Sequence, residues 1–122
     1  MPIRTIIVDD DFKACQNMKF LIEGHCPELE YLGEAHSIKE AAKLIKKETP
    51  QLIFLDMRMD SERGFELFDH VDLTNCKVIV ASAYEEFAVD AFEFSAVDYL
   101  LKPINASRLR DAVKKAKAEI EN

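Results

Sequence analysis

Four short apolar runs in this sequence end abruptly in residues that carry a charge or a hydroxyl. Ile3 to Val8 gives way to Asp9-Asp10-Asp11, Leu52 to Leu55 to Asp56, Lys77 to Ala81 to Ser82, and Ala96 to Leu101 to Lys102-Pro103. Carboxylates converging on one point repel unless a cation joins them. Hard oxygen donors in an open site suit a hydrated Mg2+ (or Mn2+) better than zinc or copper. A hydroxyl, an ammonium and that ion would hold three oxygens of a phosphoryl group, the positioning-and-charge strategy of phosphoryl transfer. Asp56 is then the nucleophile, since carboxylates form acyl phosphates. Each residue also has a plainer role open to it: strand-end aspartates cap helices, serines make turns and lysines lie on surfaces.

Convergence requires elements that bring these ends together. Leu52-Ile53-Phe54-Leu55 is too short for a helix and reads as a strand buried on both faces of a parallel sheet. Ile3 to Val8, Glu30 to Ala35, Lys77 to Ala81 and Ala96 to Leu101 read as further strands. Helical spacing falls between them: Ala14/Cys15, Met18 and Leu21/Ile22 with Gly24 as a stop, then Ile38, Ala41/Ala42 and Ile45 ahead of Pro50. Ser37-Ile38-Lys39-Glu40 fits a capping box for the second helix. A polar loop runs to Gly64, and Phe65, Leu67 and Phe68 mark a short third helix. Phe87, Ala88, Ala91 and Phe92 give the fourth, and Leu109, Ala112, Val113, Ala116 and Ile120 the fifth, capped by Asn105 or Ser107. Strand–helix alternation of this kind predicts a doubly wound, flavodoxin-like α/β fold with right-handed crossovers. Five strands are too few for an eight-stranded barrel. The order 2-1-3-4-5 opens a crevice between strands 1 and 3, where Asp9 and Asp10 would face Asp56.

With 122 residues, the chain is expected to be one domain spanning 1–122. Its net charge of −7 argues against holding nucleic acid by itself. No apolar run reaches the roughly 20 residues of a membrane span, and no signal-peptide pattern opens the chain, so a cytoplasmic location is expected. Cys15, Cys26 and Cys76 are odd in number and form no CxxC pair, which fits reduced, buried thiols. His25, His36 and His70 lack ligand spacing, so no zinc site is expected.

The segments VDDD (Val8 to Asp11), LDMRM (Leu55 to Met59), VASAY (Val80 to Tyr84) and DYLLKPI (Asp98 to Ile104) resemble the receiver domain of two-component response regulators. The resemblance runs over essentially the whole chain. The stretch from Tyr84 to Phe92 leading into Val97 to Ile104 is similar to the LytTR-type subgroup, in which a receiver precedes a DNA-binding domain. The resemblance implies that Asp56 accepts phosphate from a sensor histidine kinase. It also implies that Asp9, Asp10, Asp56 and the backbone carbonyl of Arg58 bind Mg2+, Asp9 mostly through water. Ser82 takes the switch-hydroxyl position, Lys102 that of the ion-pairing lysine, Pro103 that of a proline after a cis peptide, and Tyr99 that of the aromatic switch. Arg58 and Tyr84 each lie two positions after a functional residue and are expected to slow loss of the phosphate. The face of the fourth helix, fifth strand and fifth helix is the expected homodimer or partner surface, where Lys114, Lys115, Lys117 and Glu119 either pair with charged residues across it or form a solvated charged face.

Two departures stand out. Asp11 occupies a position where Glu is frequent, and Asp60 one where proline is common, which predicts a looser loop ahead of Gly64. The expected function is a phosphorylation-dependent switch that catalyses only its own phosphorylation and dephosphorylation. The alternatives are a stand-alone receiver in a phosphorelay, an aspartyl-phosphate phosphohydrolase, and an interaction module that never takes up phosphate. The hydrolases carry a second Asp two residues after the nucleophile, where this chain has Arg58.

Overall fold

The computed structural model describes residues 2–122. Strands β1 (Ile3–Val8), β2 (Leu29–Ala35), β3 (Leu52–Leu55), β6 (Lys77–Ser82) and β7 (Asp98–Leu101) form one parallel sheet in the order β2-β1-β3-β6-β7. That is the expected order 2-1-3-4-5. Between β3 and β6 lies a two-stranded antiparallel hairpin, β4 (Arg58–Met59) and β5 (Glu62–Arg63). The register pairs Val8 with Leu55 and Leu55 with Val80, so the strands finish level and their next residues emerge along one edge.

Alternation along the central strands divides the core into two layers. Ile3, Ile7, Phe54, Ile79 and Leu100 face α1 (Phe12–His25) and α4 (Ala106–Glu121). Ile6, Val8, Ile53, Leu55 and Val80 face α2 (Ile38–Glu48), the 3-10 helix Gly64–Asp69 and α3 (Ala88–Glu93). Each long helix buries one stripe: Cys15, Met18 and Ile22 on α1, Ile38, Ala41 and Ile45 on α2, and Leu109, Ala112, Val113 and Ala116 on α4.

Local chemistry corrects several boundaries. Gly24 does not stop α1, which runs on to His25 and closes at Cys26. Ser37 caps α2 as expected, its Oγ accepting from Glu40 N–H at 3.1 Å. Glu40 does not complete the box, because its carboxylate reaches past Ser37 to the N–H of His36. Thr49 ends α2 in a left-handed conformation, φ 45°, one residue before Pro50. The third helix is a 3-10 helix, and Asn105 rather than Ser107 caps α4.

Candidate functional site

The three aspartates after β1 divide their work by position. Asp11 is the N-cap of α1, accepting from Lys13 and Ala14 N–H. Asp9 and Asp10 are left at the sheet edge with Asp56, and carboxylate oxygens of all three lie within 4.8 Å of one another. Asp56 is 7% exposed and Asp9 5%. Lys102, carried just past β7, places Nζ 2.6 Å from Asp9 Oδ2 and 3.5 Å from Asp56 Oδ2. The peptide bond from Lys102 to Pro103 is cis.

The local turns explain why these side chains stay put. Asp9 Oδ1 accepts from Asp11 N–H at 2.9 Å, and Asp56 Oδ1 from Arg58 N–H at 3.2 Å. Asp56 caps no helix, so the plainer role open to it from sequence is filled by Asp11 instead. Two anions here share one close ammonium. Burial and the charge of Asp9 raise the Asp56 carboxyl to about 6, against the opposing pull of Lys102 and the Arg58 amide. Burial and Asp9 likewise raise Asp10. Burial works against the charge on Lys102, but its hydrogen bond to Asp9 and the two carboxylates hold its pKa above the ordinary value. Below the carboxylates, a cavity of about 190 Å³ opens between α1 and the sheet, lined by Asp9, Asn17, Asp56 and Lys102 among others.

Ser82 is fully buried at the end of β6, and its Oγ accepts from Tyr84 N–H at 3.1 Å. Tyr99, half-buried on β7, donates its hydroxyl to the Tyr84 carbonyl. The guanidinium of Arg58 stacks over the Tyr84 ring, 4.8 Å from its centroid. The expected pair Arg58 and Tyr84 and the expected switch residue Tyr99 thus form one strip beside the acidic edge. The exposed hydrophobic residues Val89, Phe92 and Leu101 lie on the α3–β7 side. Lys115 and Glu119 are engaged within the chain, with Asp98 at 3.1 Å and Lys77 at 3.6 Å, so the pairing expected of them across a dimer meets partners at home.

Sequence reasoning missed the hairpin that follows Asp56. Asp60 sits in the left-handed region, φ 49°, within a two-residue turn that proline could not form. Glu62 then accepts from Ile38 N–H at 3.1 Å, tying the hairpin to the start of α2. Gly64 returns the chain so closely that a Cβ there would collide with the Asp56 carbonyl oxygen. A glycine eight residues after the nucleophile candidate was the available signal for this close approach.

The family described as "Response regulator receiver domain" matches residues 5–114. Sensory transduction protein LytT of Bacillus anthracis is 34% identical over 119 residues, covering 96% of this chain and 48% of LytT. Transcriptional regulatory protein BtsR of Salmonella typhimurium is 36% identical over 118 residues, covering 96% of the chain and 49% of BtsR. The chain thus spans about half the length of the curated relatives it matches. The solved REC domain of AraT, a response regulator from Geobacillus stearothermophilus, superposes with a TM-score of 0.87 at 31% identity, covering 99% and 97% of the two chains. The sheet order, the acidic strand ends and these similarities agree: the chain belongs to the response regulator receiver family, in its LytT/LytR-like group.

Proposed function

We propose that this receiver takes a phosphoryl group from a sensor histidine kinase onto Asp56 and uses it as a switch. The observation that carries the reading is the shortage of positive charge: buried Asp56 and Asp9 share one lysine, and Asp10 lies beside them. The all-oxygen donor set fits Mg2+ (or Mn2+), with Asp9, Asp10, Asp56 and the Arg58 backbone carbonyl as its holders. When bound, that ion supplies the charge that offsets the carboxylates and the incoming phosphoryl oxygens. An Asp56 oxygen attacks phosphorus as the kinase's phosphohistidine P–N bond breaks. Lys102 and the Ser82 hydroxyl donate to the phosphoryl oxygens, and the Lys102–Asp9 pair keeps the ammonium aimed at the site.

Drawing Ser82 toward the phosphate frees its hold on the Tyr84 amide, and Tyr99, bonded to the Tyr84 carbonyl, follows. That motion reaches the face of α3, β7 and α4, where Val89, Phe92 and Leu101 offer apolar area to a second copy. Where this receiver forms half of a protein built like LytT or the transcriptional regulatory protein BtsR, its output is control of a LytTR-type DNA-binding domain in the cytoplasm. The net charge of −7 leaves DNA contact to that other domain.

Incubation with acetyl phosphate and Mg2+, followed by intact mass measurement, tests the reading. A phosphate-sized gain that needs the metal and vanishes in Asp56→Asn is expected; its absence in the wild type overturns it. Arg58→Ala and Tyr84→Ala should each speed loss of that phosphate about two- to fivefold, the equivalent of one exposed cation–π contact. If the two residues shield the site as a unit, the double variant is no faster than either single one.

A further inference from the structure

We propose that Cys15, Glu34 and His36 form a second metal site, for an ion of the zinc class, at the corner of α1 and β2. The Cys15 sulfur, a Glu34 carboxylate oxygen and a His36 ring nitrogen lie within 4.8 Å of one another. Sequence spacing hides the set because Cys15 comes from the first turn of α1 and the other two from the end of β2.

The surroundings are those of a supported ligand set. His36 Nε2 is 2.6 Å from Glu34 Oε2, and on the far side Nδ1 is 3.5 Å from Glu40 Oε1. Held near the ring by its bond to the His36 amide, that carboxylate lies on the side from which a metal-binding histidine is oriented, at a distance that must shorten to form the bond. Tyr31 donates its hydroxyl to Glu34 Oε1 at 2.8 Å, which fixes that carboxylate and leaves Oε2 turned to His36. The Phe12 ring covers His36, with centroids 3.9 Å apart. One thiolate, one carboxylate and a neutral imidazole balance a dication, and the sulfur and nitrogen select zinc or cobalt over magnesium. Entry is from the Glu34–His36 side, whose side chains are 25% and 20% exposed, while Cys15 is fully buried. Metal binding displaces the Cys15 proton to solvent. That proton now serves the Asp9 carbonyl, 3.4 Å from the sulfur, so loading this corner would be felt at the acidic edge.

Co2+ titration of the 122-residue protein in excess Mg2+ tests the site. The expected result is a thiolate-to-cobalt absorption that saturates at one equivalent and is bleached by Zn2+. It should vanish in Cys15→Ser and His36→Gln and persist in Asp56→Asn, and Glu40→Gln should weaken binding about tenfold. Thermal unfolding of each variant accompanies the titration, and His36→Gln decides the matter if Cys15→Ser does not fold. No absorption in the wild type, absorption that survives His36→Gln in folded protein, or absorption lost in Asp56→Asn would each overturn the proposal.

Discussion

Asp56 and Asp98 are both shielded aspartates met by basic side chains, yet the protein treats them in opposite ways. Asp98 accepts from the Tyr99 amide at 2.8 Å, Arg108 at 3.2 Å and Lys115 at 3.1 Å. Burial works against its charge, but these donors hold its carboxyl below the usual carboxylate range. Asp56 has one amide and a lysine that stands closer to Asp9, and burial with that rival charge lifts it to about 6. Burial alone therefore does not decide which way a carboxylate's pKa moves. The number of donors answering each charge does: Asp98 is satisfied and ties β7 to α4, whereas Asp56 is left short of positive charge.

The largest effect should come from removing the shared cation. Lys102→Met leaves Asp9 and Asp56 buried without an ammonium, and without divalent ions it should cost about 3 kcal/mol in urea unfolding. An unchanged midpoint would mean that the charge shortage at this edge is not real. Next, neutralising the two aspartates should move stability in opposite directions. Asp56→Asn relieves repulsion and should gain about 1 kcal/mol in the same metal-free assay, while Asp98→Asn should lose about 1 kcal/mol. Arg108 and Lys115 are both exposed, which keeps the second figure small. A shared sign would break the comparison. The smallest effect is a pH dependence. The folded pKa of Asp98 lies below its ordinary 3.8, so its contribution is present above that value and lost as pH falls through the folded one. Wild type and Asp98→Asn should therefore converge in stability in acid, below about 3.8.

The sheet order and the meeting of Asp9, Asp10, Asp56 and Lys102 are legible in the chain, because β3 is an unbroken apolar run, β1, β6 and β7 are mostly apolar, and each of the four ends in its polar residue. The rest depends on backbone conformation and on which neighbour a side chain reaches in the folded chain, and residue spacing shows neither. Glu40 was assigned to Ser37 by spacing, but the amide of His36 lay within its reach. Asp60 stands where proline is common, and only the backbone shows the left-handed turn it makes. Cys15 and His36 share no ligand spacing, and only the packing of α1 on β2 brings them together.

The bond from the Ile38 amide to Glu62 has a practical consequence. It caps a helix in one layer with a side chain from the hairpin that continues from Asp56. Solvent exchange at that single amide is gated by whether the hairpin is seated. Ile38 is thus a natural probe, built into the backbone, for the state of the loop after Asp56: slow exchange while Glu62 is docked, fast once the loop lifts.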